Sequence, residues 1–297
     1  MATTEPLKVG LVGAGPWANF VHGPVLAAGP ETTLAGVWAR RPEAAESLAS
    51  KHGAPTFSRY EELLDACDAV AFCVPPAVQV DMAIAAAAAG KAVLLEKPLA
   101  ETADEAARLA DAVGTAGVGS LVVLSYRFGQ GIRDFLASAA DFETVGARAT
   151  FISGAFLGGP FSQSPWRHQH GALLDVGPHV IDLIDAAVGP VAAIESAAEN
   201  KGWISLQLRH QNGAVSDVTM SASVGMPDSR TDLELYGPTG ALTLDARATT
   251  GPAAFATLRA EFAEVARTGA SHPCDVHRGR YLQEWITRTQ ERLGLPR

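Results

Sequence analysis

The sequence contains little of what several classes of protein require. Its 297 residues include three cysteines, Cys67, Cys73 and Cys274, whose odd number and spacing fit neither a disulfide framework nor a cysteine metal site. No stretch combines membrane-spanning length with freedom from charges and helix breakers. The formal net charge is −9 and the longest cationic run is Arg40-Arg41, so a nucleic-acid partner is not expected.

The first residues also lack the basic stretch followed by an apolar one that marks a signal peptide. We therefore expect a cytoplasmic protein with no membrane partner. Apolar residues are plentiful, since 47% of the chain is hydrophobic, and the length suits two domains. Cys73, inside the apolar run 69–74, is predicted to be a small buried side chain.

Short apolar strands alternate with helical patterns in the first part of the chain. Strands are predicted at 8–12, 33–38, 69–74, 91–95 and 121–124, and helices at 17–28, 42–52, 79–89 and 103–116. This alternation indicates parallel βαβ units with right-handed crossovers, which form an α/β doubly wound sheet. We assign residues 1–122 to a dinucleotide-binding Rossmann domain.

The pattern changes after about residue 125, where strands lengthen and hairpin signals appear. Gln211-Asn212-Gly213 separates predicted strands 203–210 and 214–223, and Gly237-Pro238-Thr239-Gly240 separates two more. Helices near 253–268 and 276–293 close the chain. Residues 123–297 are thus predicted to form an α+β substrate-binding and oligomerisation domain with a mostly antiparallel open sheet.

Alternation along 203–210 predicts that this sheet has an apolar face under helices and a polar outer face. The outer face is expected to include Asp217, Thr219 and Ser221. Four histidines are predicted to lie on the surface or in loops: His52, His210, His272 and His277.

A glycine-rich loop follows the first predicted strand and has the pattern G-x-G-x-x-A. Gly13 permits a tight turn, Gly15 lets a pyrophosphate approach the backbone, and Ala18 lets helix and strand pack closely. Pro16 and Trp17 begin the helix, whose N-terminal N–H groups attract anions. We expect these residues to bind a dinucleotide; the alternative is an ordinary glycine-rich turn.

The end of the second strand predicts which dinucleotide binds. NAD enzymes usually carry an acid there, but this chain has Ala39 followed by Arg40 and Arg41. A carboxylate repels the 2′-phosphate of NADP, whereas guanidinium groups bind it. The sequence therefore predicts NADP as the preferred cofactor and NAD as the second; alternatively, the arginines only solvate a loop.

Glu96-Lys97-Pro98 follows the fourth predicted strand. The carboxyl ends of parallel strands open onto the ligand crevice, and Pro98 restricts Lys97 to an extended conformation or a cis bond. The Lys97 ammonium would then polarise a substrate oxygen and stabilise alkoxide charge. A surface turn is the alternative interpretation of the tripeptide.

A polar cluster lies in the apolar segment 173–183 of the second domain. If this segment is one helix, Asp175, His179 and Asp182 share a face; Gly177-Pro178 favours instead a helix that begins near Pro178 and leaves Asp175 before it. An imidazole suits proton transfer near neutral pH. The alternative is an Asp–His pair with a structural role.

A metal site is a further alternative for this region. His168 and His170 would point the same way on a strand, with Asp175 and His179 downstream. Against this, histidines are common in substrate loops, and we predict no metal.

Nearly the whole chain resembles the Gfo/Idh/MocA family of dehydrogenases, with its motifs in the family's order. These are the glycine loop followed by His22, then Asp68-Ala69-Val70, Pro75-Pro76, the diagnostic run 89–99, Trp166, the run 173–182 and Gly237-Pro238-Thr239-Gly240. Three features depart from the family: Gln79 stands where many members have His, the usual glycine run is reduced to His170-Gly171-Ala172, and the chain is short. These departures affect the expected substrate more than the expected chemistry.

The resemblance implies an NAD(P)-dependent oxidoreductase that moves a hydride between nicotinamide and a hydroxyl-bearing carbon of a sugar, inositol or related polyol. It implies that Lys97, Asp175 and His179 form the catalytic group and that Pro75, Glu96 and Trp166 line the cofactor crevice. Val74 and Lys97 are also expected to contact the cofactor. It also implies a homodimer or higher homo-oligomer. Two alternatives share the fold: a non-catalytic NAD(P)-binding sensor, and an enzyme that cleaves glycosides by transient oxidation.

Overall fold

The chain forms two compact units in a computed structural model that describes residues 5–159, 162, 165–247 and 251–295. The first unit contains the residues up to Val123 together with Phe255–Tyr281, and the second contains Leu124–Ala254 with the residues from Leu282 onward. The predicted second domain, 123–297, includes the segment 255–281, which packs here with the first unit.

The first unit is built on a five-stranded parallel sheet with the order β2-β1-β3-β4-β5. Its strands are β1 Leu7–Val12, β2 Thr32–Trp38, β3 Ala69–Phe72, β4 Ala92–Leu95 and β5 Ser120–Val122. Every residue of β3 and β4 is buried, as expected for strands covered on both faces. The predicted doubly wound sheet is confirmed.

The helices of this unit follow the predicted βαβ pattern and are α1 Gly23–Ala27, α2 Pro42–Ser50, α3 Tyr60–Ala66, α4 Pro76–Ala88 and α5 Ala103–Ala116. The sequence analysis did not predict α3. The bounds of α5 were predicted correctly because its end signals are strong: Thr102 and Glu105 form a capping box, and Gly117 ends the helix at φ +64°.

The C-terminal part of the first unit covers the edge strand β5. It includes most of α9 Pro252–Thr268 and the start of α10 Val276–Leu293. The backbone N–H of Val122 donates to the Cys274 carbonyl at 2.7 Å, and Ser120 Oγ accepts from the Val276 N–H at 3.1 Å. Backbone groups that an edge strand would leave unpaired are thus satisfied by this segment.

The second unit contains a six-stranded sheet with the order β11-β10-β6-β9-β8-β7. Its elements are α6 Gln130–Ala140, β6 Gly146–Ile152, α7 Pro165–Asp175, α8 Gly177–Val188, β7 Val191–Asn200, β8 Trp203–His210, β9 Val215–Ser221, β10 Arg230–Gly237 and β11 Gly240–Asp245. Only β6 and β9 pair in parallel, so the predicted mostly antiparallel sheet is confirmed, with both predicted hairpins. Among the described residues, no helix is long and apolar enough to span a membrane.

Two predictions about surface residues are wrong. His210 is buried, because its ring nitrogens contact the Gly189 carbonyl and Ser216 Oγ, each at 2.6 Å. Ser221 is buried at the end of β9, where its Oγ accepts from the Ser223 N–H at 3.2 Å. The alternation of apolar and polar residues correctly predicts which side chains of β8 point outward. At His210 and Ser221, which lie at strand ends, local hydrogen bonds bury the polar side chain instead.

Arg259 of α9 is expected to stabilise the first unit measurably. Its side chain donates to Glu31 at 2.8 Å and to the Val25 carbonyl at 3.1 Å, and it is largely buried. We expect Arg259→Met to lower the free energy of unfolding by about 1–3 kcal/mol, because charge-assisted hydrogen bonds are lost. Arg108→Met, which removes the exposed Arg108–Asp81 pair, should change it by less than about 0.5 kcal/mol.

The loss of stability expected for Arg259→Met should depend on pH. Burial alone would raise the pKa of Glu31, but the hydrogen bond from Arg259 holds it, on balance, below its usual 4.5. A lowered carboxyl pKa contributes stability above pH 4.5 that disappears as the pH falls. The difference between wild type and Arg259→Met, measured by urea unfolding, should therefore narrow on acidification; a constant difference would contradict a role for the Glu31 carboxylate.

Candidate active site

The first turn after β1 requires glycine at one position and leaves space at another. Gly13 has φ +109°, and a Cβ there would lie 2.2 Å from the Cys73 carbonyl oxygen. A Cβ on Gly15 would have no heavy atom within 4 Å among the described residues. Gly13 therefore closes the turn against β3, whereas Gly15 keeps an open surface beside the backbone. Cys73 is only half-buried, contrary to the prediction that it is a core side chain.

The helix after this loop contains a π-helical segment, Ala18–His22, ahead of α1. Hydrogen bonds between residues five apart place Trp17 and His22 on the same face. Trp17 Nε1 donates to Glu96 Oε1 at 2.8 Å, and His22 Nε2 contacts the same oxygen at 2.6 Å. Ala18 is fully buried, which agrees with close packing of this helix on the sheet.

Glu96 and Lys97 follow β4 directly. The Lys97 N–H donates to Glu96 Oε2 at 3.2 Å, the Lys97–Pro98 bond is cis, and Lys97 itself is half-buried. The Glu96 carboxylate thus joins the glycine-loop helix to the turn that carries Lys97. The glycine-loop pattern predicted Trp17 as a dinucleotide contact, and the resemblance implied Glu96 in the cofactor crevice and Lys97 in the catalytic group; the structure brings these three residues together.

Gln79 of α4 also contacts this turn, although the sequence analysis singled it out only as a departure from the family. Its side chain accepts from the Glu96 N–H at 2.8 Å and donates to the carbonyls of Glu96 and Leu99 at 2.9 and 3.1 Å. Gln79 is fully buried. A polar residue in an otherwise Ala- and Val-rich helix was the signal that could have identified it.

Two other predicted cofactor regions lie at the same edge of the sheet, where β2 and β3 end. Ala39 is half-buried, and Arg40 and Arg41 are exposed with no ion pair among the described residues. Val74 follows β3, and its Cγ1 lies 3.1 Å from where a Cβ of Gly13 would stand; Pro75 caps the start of α4. Val74 therefore lies directly beside the glycine turn.

In the second unit, the predicted polar cluster is divided between two helices. α7 contains Gly171 at φ +69° and ends at Asp175, and α8 begins at Gly177. The interpretation with a helix starting near Pro178 is therefore correct, and Asp175 precedes the helix that carries His179 in its first turn.

Both acids of this cluster are paired with arginines. Arg127 donates to Asp182 at 3.0 Å, and Arg167 donates to Asp175 at 3.2 Å. Asp175 and Asp182 are buried, and these partners compensate their charges. Neither pairing was predicted from the sequence. Arg127 lies 55 residues from Asp182, and Arg167 lies two turns of helix before Asp175.

Aromatic rings surround His179. The Tyr126 ring meets its imidazole edge-on at a centroid distance of 5.2 Å, and the Phe151 ring is nearly parallel to it at 6.3 Å. Burial raises the pKa of Tyr126, whose hydroxyl lies 3.3 Å from Thr231 Oγ1. The imidazole is thus held in a half-apolar environment with a fixed plane.

The predicted Trp166 and the two nearby histidines lie on α7. The Arg167 guanidinium sits 4.6 Å from the Trp166 ring centre, and His168 Nε2 contacts the Ser162 carbonyl at 2.5 Å. His168 and His170 are on a helix, so the extended arrangement considered for a metal site is wrong. Within the described residues, no group of three or more His, Cys, Asp or Glu side chains is placed to hold a metal ion.

Comparison with known proteins identifies both units. Residues 7–123 match the family described as an oxidoreductase family with an NAD-binding Rossmann fold, and residues 143–243 match the GFO/IDH/MocA C-terminal domain. Levoglucosan dehydrogenase of Pseudarthrobacter phenanthrenivorans is 29% identical over 229 residues, 71% of this chain but 58% of that protein. The chain therefore spans little more than half the length of this relative.

Two other similar proteins align over more of their length. dTDP-3,4-didehydro-2,6-dideoxy-alpha-D-glucose 3-reductase of Streptomyces violaceoruber is 29% identical over 84% of this chain and 76% of that protein. A solved structure of levoglucosan dehydrogenase in complex with NADH has a TM-score of 0.87 at 21% identity, covering 97% of both chains. The structural likeness supports the fold.

The two glycines of the loop should respond differently to a methyl group. Gly13→Ala is expected to lower the free energy of unfolding by about 3 kcal/mol or more. The new methyl group would collide with the Cys73 carbonyl, and alanine is strained at the positive φ of this position. Gly15→Ala should leave stability within about 1 kcal/mol of wild type while raising the dinucleotide Kd about tenfold or more. Thermal unfolding and fluorescence titration measure the two effects; unchanged dinucleotide affinity in Gly15→Ala would exclude this loop as the binding site.

Proposed function

The chain belongs to the GFO/IDH/MocA family of oxidoreductases with an NAD-binding Rossmann fold, and we propose that it is a dehydrogenase or reductase acting on a sugar or related polyol. One observation carries this proposal: Glu96 bonds to Trp17 of the glycine-loop helix and to the backbone N–H of Lys97. The candidate catalytic lysine is therefore fixed beside the dinucleotide loop.

The residues present suit a nicotinamide dinucleotide. The open side of Gly15 and the first turn of the helix that follows it would hold the pyrophosphate, with Val74 and Pro75 beside them. When bound, the nicotinamide supplies the hydride acceptor or donor. Trp166 is proposed as a further contact, on the family resemblance.

Three side chains are proposed to handle the substrate hydroxyl. Lys97 donates to the reacting oxygen and stabilises its developing negative charge. His179 exchanges the hydroxyl proton, since imidazole changes charge near neutral pH. Asp175 contacts a substrate hydroxyl or orients the imidazole, with Arg167 holding its carboxylate in place.

The substrate class is proposed from the relatives and from the surroundings of His179. Both curated relatives are named for sugars. Tyr126 and Phe151 offer ring surfaces beside the imidazole, which suit the C–H faces of a sugar or inositol ring. The trimmed glycine run at 170–172 precedes Asp175 and His179 in the chain, and we expect it to affect which sugar fits.

We expect NADP to bind more tightly than NAD. Arg40 and Arg41 are exposed at the end of β2 with no acid at Ala39, so both guanidinium groups are available to a 2′-phosphate. The double variant Arg40→Ala/Arg41→Ala should raise the NADP Kd roughly 10–100-fold and leave the NAD Kd unchanged. Arg108→Ala serves as a surface control, and equal wild-type affinity for both dinucleotides at equilibrium would disprove the preference.

Turnover should depend on Lys97 and His179. We expect Lys97→Met and His179→Asn to lower kcat roughly 100-fold or more with sugars and polyols, with cofactor affinity retained. Lys91→Met, which removes a lysine bonded to the Cys67 carbonyl, and His277→Asn are the matched controls and should keep near-normal kcat. Formation of reduced nicotinamide across a panel of sugars and inositols is the measurement.

The same panel separates the alternatives. Tight cofactor binding with no turnover of any member in either direction would indicate a sensor. Cleavage of a glycoside without net formation of reduced nicotinamide would indicate transient oxidation. Near-normal kcat in Lys97→Met would remove this lysine from the mechanism.

A further inference from the structure

Gln79 forms a dense set of hydrogen bonds to the turn that carries Lys97. Its Oε1 accepts from the Glu96 N–H at 2.8 Å, and its Nε2 donates to the carbonyls of Glu96, Leu99 and Pro98 at 2.9, 3.1 and 3.5 Å. A glutamine amide has one oxygen that accepts and two N–H bonds that donate, so contacts at both of its atoms fix its orientation; the 3.5 Å contact to Pro98 is the longest of them.

These contacts satisfy backbone groups that the sheet does not reach. β4 ends at Leu95, whose carbonyl accepts from the Val123 N–H at 2.8 Å, and Pro98 has no N–H of its own. The groups bound by Gln79 lie on both sides of Lys97. Because buried backbone groups must find partners, the amide determines the path of the chain through the lysine.

We propose that Gln79 is a positioning residue for the reaction, which holds the backbone on either side of Lys97 so that its ammonium meets the substrate oxygen. This inference rests on the catalytic role proposed for Lys97. Gln79 is fully buried and bonds to backbone groups of Glu96 and Leu99, so the proposed effect passes through the backbone that carries Lys97. A displacement of about 1 Å at a catalytic group can cost 100-fold in rate.

Gln79→Met tests the proposal, since methionine fills a similar volume without hydrogen bonds. We expect kcat to fall roughly 10–100-fold, with KM and the cofactor Kd changed less than about threefold, because the loss concerns the chemical step. A deuterated substrate should show a larger isotope effect than with wild type. Gln283→Met, which removes a buried glutamine of α10, reports the effect of such a loss on stability and should keep kcat.

A double-mutant cycle distinguishes positioning from general stabilisation. In a Lys97→Met background, adding Gln79→Met should cost no further kcat, because the residue it positions is already gone. An equal further loss in that background would overturn the proposal. Normal kcat in Gln79→Met, beside an impaired Lys97→Met, would overturn it while leaving the proposed function intact.

Gln79→His provides a second variant in case Gln79→Met does not fold. Histidine is the residue that the family resemblance places here, and its ring keeps one donor and one acceptor. We expect the kcat of Gln79→His to lie between those of wild type and Lys97→Met. Combining Gln79→His with Lys97→Met should again cost no more kcat than Lys97→Met alone. Full additivity would count against positioning. Normal kcat in Lys97→Met would contradict the catalytic role proposed for Lys97, whatever the result for Gln79.

Discussion

The Glu96 carboxylate is the connection on which the geometry of the first unit's site depends. A largely buried carboxylate is costly unless it is hydrogen-bonded, and this one receives the Trp17 indole, the His22 ring and the Lys97 N–H. Those three partners come from the helix after the glycine turn and from the turn after β4. Removing any of them would leave the carboxylate undersatisfied, so the two segments are held at a fixed separation.

The π-helical segment makes this connection possible. In an α-helix, residue 21 would lie close to the direction of residue 17, and residue 22 would lie roughly 140° around the helix from residue 17. The wider π-turn instead brings Trp17 and His22 over the same carboxylate oxygen. Such turns weaken a helix and are found mostly where function requires them. The irregularity directly after the glycine loop is therefore explained by the contact it creates.

The sequence predicted the fold more completely than the site. Strand and helix periodicity, the capping box of α5 and the Asn-Gly hairpin are local signals, and each yields an element close to its observed bounds. The pairing of Arg127 with Asp182 spans 55 residues and depends on tertiary packing, so no local pattern encodes it. The π-turn escaped prediction for the same reason, since its cause is Glu96, far along the chain.

Gln79 shows how a departure from a familiar pattern can carry information. From the sequence it was only a missing histidine, whereas the hydrogen bonds show that an amide performs a backbone-binding task that needs two donors and one acceptor. The glutamine at this position is therefore explained by the turn that carries Lys97, whose backbone it binds.

The charges of the second unit bear on the proton-exchange role proposed for His179. Asp175 and Asp182 are buried, and each accepts a hydrogen bond from an arginine. Removing either arginine would leave a buried carboxylate without its counter-charge, and breaking a buried ion pair costs about 3–5 kcal/mol. His179 lies between these two acids along the chain, and its ring is flanked by Tyr126 and Phe151. The role proposed for His179 requires neither pair to break, because an imidazole can gain and release a proton near neutral pH while each aspartate keeps its arginine.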